Sequence, residues 1–110
     1  MLLNTATKTE PINKLNSLYQ DYVCSCILRI AKEVFQLVPL NSLIINTQNS
    51  FLNSTTGHFN SKTIISVKIE RGVIEGINYE LLDPSDSMSN FEVHMNFDKV
   101  TGFAPVNELN

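Results

Sequence analysis

One run of apolar residues, Ile12 to Val38, constrains this chain more than any other stretch. Leu15, Leu18, Tyr22, Cys26, Ile30, Val34 and Leu37 recur at spacings of three and four, with a second row, Tyr19, Val23, Ile27 and Ala31, beside them. That period specifies an α-helix with both rows on one broad face. Pro11 suits the first turn, where a missing N–H costs nothing. Pro39 ends the helix by restraining Val38 and removing a donor. At about 1.5 Å per residue the helix is roughly 40 Å long, enough to cover a small sheet.

The remainder of the chain reads as that sheet. Leu43, Ile44 and Ile45 cluster inside 40–47, a short buried first strand. The polar stretch 48–60, interrupted by Phe51 and Leu52, admits two readings: a mobile loop, or a strand prolonged to about Leu52 in a long hairpin that turns at Ser54–Gly57. The hairpin is preferred, because Gly57 accepts the positive φ that several hairpin turns require. Lys62 to Glu70 is the clearest strand. Thr63, Ile65, Val67 and Ile69 form an almost fully apolar, β-branched face opposite Ile64, Ser66, Lys68 and Glu70, and the odd-numbered face is expected against the helix.

Arg71 to Ile77, carrying Gly72 and Gly76, reads as a short helix or a crossing turn. Asp83-Pro84-Ser85-Asp86 is a helix start, with Asp83 as cap, Pro84 at the first position and Asp86 near the positive end. Beyond it two periods compete. Met88, Phe91 and Met95 fall at helical spacing, while Phe91, Val93, Met95 and Phe97 alternate with Glu92, His94, Asn96 and Asp98. The cap favours a helix over about 84–94. A turn pivoting on Gly102 and a short extended segment over 99–106 close the chain.

The expected fold is therefore α/β of the α+β kind. It is a two-layer sandwich in the order α–β–β–α–(β), a long N-terminal helix on a small antiparallel sheet. The expected organisation is a flexible lead-in over 1–10, one domain over 11–106 and a frayed end over 107–110.

Composition excludes more than it assigns. Net charge is −3, so the positive patch that nucleic acid demands is not expected. No apolar run reaches the eighteen residues of a membrane span. The first ten residues lack the basic start and apolar core of a signal peptide. Charged residues are 17% of the chain against 43% hydrophobic, which is light in charge for a freely soluble monomer. Cys24 and Cys26 are two apart on the helix and point away from one another. They read as free packing thiols, which favours a reducing cytoplasm. Their CxC spacing is not that of a redox or zinc pair.

The residues that carry chemistry are few. His58 and His94 are far apart in sequence and would need an acid such as Glu70, Glu75 or Asp98 to make a site. No phosphate-cradling glycine loop and no nucleophile elbow is present. A metal-dependent nuclease core would place an acid on one strand and Glu-x-Lys on the next. Here Ser66-Val67-Lys68 has the lysine with serine in the acid's position, and the preceding strand offers Asn46 and Gln48. Neutral amides hold Mg²⁺ poorly. The carboxylates Glu70, Glu75, Glu80, Asp83 and Asp86 read as solvated surface, Asp83 as a cap. The catalytic candidates are thus His58, Lys68, Glu70 and His94, with no metal or cofactor expected. Tyr19, Tyr22 and Phe51 are the candidate interface residues, since aromatic rings serve wet boundaries.

The stretch from Thr56-Gly57-His58 through Ser66-Val67 to Asp83-Pro84 resembles small bacterial domains of unassigned function, a resemblance that implies no activity. The expected role is a non-catalytic interaction or accessory module with a protein partner, or a homodimer. The alternatives are a degenerate or atypical nuclease- or hydrolase-like domain, and a ligand-binding module between helix and sheet. The helix's apolar breadth exceeds what a small sheet covers, and that excess is the main reason to expect a partner.

Overall fold

A computed structural model describes residues 10–109; of the lead-in expected over 1–10, residues 1–9 lie outside the described residues and Glu10 already belongs to a helix. The helical period of the N-terminal run becomes α1 (Glu10–Leu37). The long hairpin follows as β1 (Ser42–Asn53) and β2 (His58–Glu70), antiparallel over their whole length. Gly57 turns it with φ 73°, the left-handed conformation that costs a residue without a Cβ nothing. A five-residue helix, α2 (Arg71–Glu75), and a single turn, α3 (Pro84–Ser87), lead through a 3₁₀ turn at Met88–Asn90 into β3 (Glu92–Asp98) and β4 (Gly102–Ala104). The sheet order is β1-β2-β3-β4, antiparallel throughout. The architecture is the expected mixed α/β layout, a long helix on an antiparallel sheet.

The helix expected over 84–94 stops after one turn. Its start is as expected: Asp83 accepts from the Ser85 and Asp86 amides at 3.1 and 3.2 Å, and from the Ser85 hydroxyl at 2.9 Å. Those bonds, the Ser85 hydroxyl foremost, hold the Asp83 carboxyl below its ordinary pKa. A cap satisfies only the first turn, however, and the alternation of residues 91–98 prevails beyond it. Val93 and Met95 sit opposite Val67 and Ile65, where a pleated surface packs them better than a helix face would.

The core lies between α1 and the sheet. Val23, Cys24, Ile27, Leu28, Ala31 and Phe35 meet Ile64, Ile65, Val67 and Ile69, closed below by Ile74, Met88 and Phe91. The face predicted from the odd-numbered residues of β2 holds for 65, 67 and 69. Thr63 leaves it, because the register moves from Thr47↔Ile65 to Gln48↔Thr63 and leaves Ile64 as the extra residue of a bulge. A bulge re-aims the residues beyond it. The Thr63 hydroxyl accordingly donates to Glu108 Oε2 at 2.7 Å.

That contact belongs to a C-terminal segment expected to fray. Over 106–109 the chain is instead tied to the sheet. The Val106 amide donates to the Thr63 carbonyl at 2.9 Å, and the Leu109 amide to Ser66 Oγ at 2.8 Å. The N-terminal part of α1 is tied as well, where Asn16 Nδ2 donates to the Lys99 carbonyl at 2.7 Å and steadies the β3–β4 turn.

Candidate functional site

The phase of α1 differs from the one its period suggested. Its buried face is Val23, Cys24, Ile27, Leu28, Ala31 and Phe35. The leading apolar row faces the other way. Leu15, Leu18, Tyr22, Ile30 and Leu37 are all exposed, Tyr22 by 67% and Leu37 by 84%, with Cys26 and Val34 half-buried between them. At about 100° per residue these seven span about 160° of the helix surface. Both faces of α1 are thus apolar, and the sheet covers only one.

The candidate interface residues do not share a fate. Tyr22 stands on the outward row. Tyr19, 43% exposed, sets its ring edge against Phe103 at a centroid distance of 5.8 Å. Phe51 packs, half-buried, against the core. A smaller apolar pair lies elsewhere: Leu52 and Phe59 are cross-strand partners near the hairpin tip and both are exposed.

The catalytic candidates are dispersed. His58 opens β2 at the hairpin tip, opposite Asn53. His94 sits in β3 opposite Ser66. Eight strand residues separate those positions along β2, about 26 Å. Lys68 lies opposite Ile44 and Glu92. Glu70, Glu75, Glu80, Asp83 and Asp86 are exposed. Among the described residues no three His, Cys, Asp or Glu side chains gather within reach of one ion.

One polar row does form on the outer face of the sheet. Asn46, Ser66 and His94 are successive cross-strand partners. The buried Ser66 hydroxyl donates to Asn46 Oδ1 and accepts the Leu109 amide. His94 Nδ1 lies 2.7 Å from the Asn107 carbonyl. A carbonyl only accepts, so Nδ1 carries the proton. Asn46 and Ser66 stand at the positions where a nuclease core would keep its acids. Here they form a hydrogen-bonded seam that pins residues 107–109, with Ser66 sealed from solvent.

A concavity lies at the C-terminal end of α1. It measures about 310 Å³ and is lined by residues of α1, α2 and the following loop, among them Lys32, Phe35, Arg71 and Tyr79. Sequence reasoning missed Arg71. α1 has no basic residue in its last turn, and Arg71 supplies the charge from 33 residues beyond Val38. Its guanidinium donates to the carbonyls of Phe35 (2.8 Å), Val38 (2.8 Å) and Leu40 (2.6 Å). Carbonyls left open by a helix end favour such a cation. The guanidinium is therefore committed to the fold. Across the cleft Lys32 Nζ lies 4.8 Å from the Tyr79 ring centroid. The Tyr79 hydroxyl is buried and has no hydrogen-bond partner among the described residues.

The two thiols also differ. Cys24 is fully buried and Cys26 half-buried. Burial, reinforced by Asp21 and Asp83, pushes the Cys24 thiol up to about 12. Such a group is protonated and inert at neutral pH.

Comparison with protein-family models, with curated proteins and with solved structures gives no match. No helix among the described residues is long and apolar enough to cross a membrane.

Proposed function

We propose that the protein is a non-catalytic interaction module that docks through the outward face of α1. One observation carries this reading: five large apolar residues, Leu15, Leu18, Tyr22, Ile30 and Leu37, are exposed along one helix face whose opposite face is core. The row spans 23 residues, about 33 Å, and is one helix wide. Its area is therefore a few hundred Å², the size at which exposed apolar patches mark binding surfaces. Tyr22, one helical turn from its middle, has the amphipathic ring common at interface centres. The dispersal of His58, Lys68, Glu70 and His94 supports no reaction. Free thiols are in keeping with a reducing compartment such as the cytoplasm.

The test places negative charge on the apolar row. Tyr22→Glu with Ile30→Glu removes binding of a hydrophobic dye and any association of the full chain through α1, with its unfolding midpoint unchanged. Dye binding and association equal to those of the parent chain would refute the reading.

A further inference from the structure

We infer that the open edge of β1 pairs, antiparallel, with β1 of a second copy of this chain, across a two-fold axis at Gln48. The inference goes beyond the α1 reading and leaves that helix face free. β1 is 12 residues long and lies at the edge of the sheet. Among the described residues no strand pairs with its outer side. Such an edge is a row of N–H and C=O groups ready to bind a further strand, and folds that leave it in solvent guard it with charge, proline or brevity. β1 has none of the three. It contains no proline, and no Lys, Arg, Asp or Glu occurs from Val34 to Ser61. The opposite edge strand, β4, is 3 residues long, so brevity guards that side and nothing guards this one.

The backbone fixes which groups face outward. The Asn41 carbonyl accepts the Arg71 amide and the Asn53 carbonyl accepts the Gly57 amide, both at 2.8 Å, so odd-numbered residues turn their backbone groups to β2. The bulge residue, Ile64, belongs to β2 and leaves this alternation unbroken along β1. Even-numbered residues, Ile44 to Leu52, therefore hold N–H and C=O outward. The side chains select the partner. β3 pairs with β2 only beside residues 65–68, so β1 from Gln48 to Asn53 runs along a two-stranded arm. There Leu52 is 60% exposed and its cross-strand neighbour Phe59 70%. The other half of β1 keeps Ile44 and Ile45 half-buried at the margin of the sheet. Turned about Gln48, a second copy lays its arm along that margin. Leu52 of one copy then stands opposite Ile44 of the other on the outer face, and Phe51 opposite Ile45 on the face towards α1. Moving the axis by one residue, to Thr47, would set Ile44 against Ser50 and Ile45 against Asn49, so cross-strand pairing favours Gln48.

Hydrogen bonds rather than area give this contact its specificity. The outward residues from Ile44 to Leu52 exchange about ten backbone hydrogen bonds between the copies, as many as a standard interface carries. No charge on one β1 meets a like charge on the other. The sheets of the two copies join into one, with both α1 helices on the same side. The contact is isologous and closes at two copies, because the edges that remain are the short β4 strands. A strand edge is a small area, at the transient end of interface sizes. The dimer should therefore be populated at about 100 µM and dissociate on dilution.

Sedimentation of the full chain at about 100 µM should show the dimer. Gln48→Pro removes an outward N–H and no bond to β2, and should return the chain to a monomer. Gln48→Lys and Gln48→Glu each set a charge against itself at the axis. Each alone should weaken the dimer about fivefold, and mixing the two should restore it. Circular dichroism confirms that each variant is folded, and the charge pair carries the test if the proline variant is not. Cross-linking reads the register in a Cys26→Ser background, where buried Cys24 does not compete for reagent. A short bis-maleimide should join Gln48→Cys to itself. It should not join Leu52→Cys to itself, because those positions lie eight strand residues apart, about 26 Å. A monomer at this concentration, a dimer indifferent to Gln48→Pro and Gln48→Lys, or self-joining of Leu52→Cys overturns the inference. Tyr22→Glu with Ile30→Glu should leave this dimer intact while dye binding is lost. A dimer lost in that variant belongs to α1, and overturns this inference while sparing the α1 reading.

Discussion

Arg71 lies over the ring of Phe35, 4.9 Å from its centroid, while its Nη1 donates to the carbonyl of the same residue at 2.8 Å. One side chain thus grips both the core aromatic and the backbone at the end of α1. With the bonds to Val38 and Leu40 and the 3.7 Å approach to Glu75, it fastens the first residue of α2 to the last turn of α1. Replacing it with alanine leaves the Phe35 and Leu40 carbonyls without this donor, while the Val38 carbonyl keeps the Leu40 amide at 2.8 Å. Arg71→Ala should lower unfolding free energy by about 2–4 kcal/mol, read by urea denaturation. Arg71→Lys should recover only part of it, because an ammonium lacks the planar fork. A loss under about 0.5 kcal/mol, the size of an ordinary surface change, would show the clamp to be incidental.

The phase of α1 has its own test, independent of any partner. Ile27 is buried against the sheet and Ile30 is exposed on the outward row. Ile27→Ala should destabilise by about 2–5 kcal/mol through lost burial and a residual cavity. Ile30→Ala should stay within about 0.5 kcal/mol at concentrations where the chain is monomeric. Equal losses would place both side chains in one core and contradict the orientation of the helix.

Two thiols two residues apart should behave as different chemical species. At neutral pH Cys26 should be alkylated in the native protein and Cys24 only after unfolding, as mass spectrometry would show. The raised pKa of Cys24 also fixes an alkaline sign. The folded state holds that proton more tightly than the unfolded state, whose thiol titrates near its ordinary 9.0. The corresponding stability is fully present below pH 9.0 and is lost as pH climbs towards about 12. Cys24→Ala should flatten that decline; an unchanged alkaline profile would assign it to other groups.

Tyr79 offers an opposite sign. Its hydroxyl is buried with no partner among the described residues, and burial pushes its pKa up. Removing an unsatisfied polar atom relieves its desolvation cost. Tyr79→Phe should therefore be neutral or stabilising by about 1 kcal/mol in thermal or urea unfolding. A clear loss of stability would mean that the hydroxyl has an acceptor in solution.

The seam under the C-terminal segment predicts slow exchange. The Leu109 amide donates to a buried serine, so hydrogen exchange should find it protected although it lies near the end of the sequence. Ser66→Ala should release that protection. Exchange as fast as in an unstructured chain would restore the expectation of a frayed end.

The sequence by itself determined the elements whose cues are local. The spacing from Leu15 to Leu37 required a helix, Pro39 its end, Gly57 the hairpin turn, Asp83 the cap, and the alternation of 65, 67 and 69 the strand that meets the helix. Each depends on neighbours a few residues away. The tertiary structure alone decided which side of α1 is inside. Both sides are apolar, so periodicity is satisfied either way, and the sheet resolves the choice by accepting Cys24, Leu28 and Phe35, residues that neither of the two evident rows contains. It also decided residues 91–98, where a sound cap met a β alternation and pairing with β2 outweighed one turn of helix. The grip of Arg71 on α1, the bulge at Ile64 and the tie from Leu109 to Ser66 were beyond local reading for the same reason. Each joins residues far apart in the chain, and nothing in their immediate neighbours records the partner.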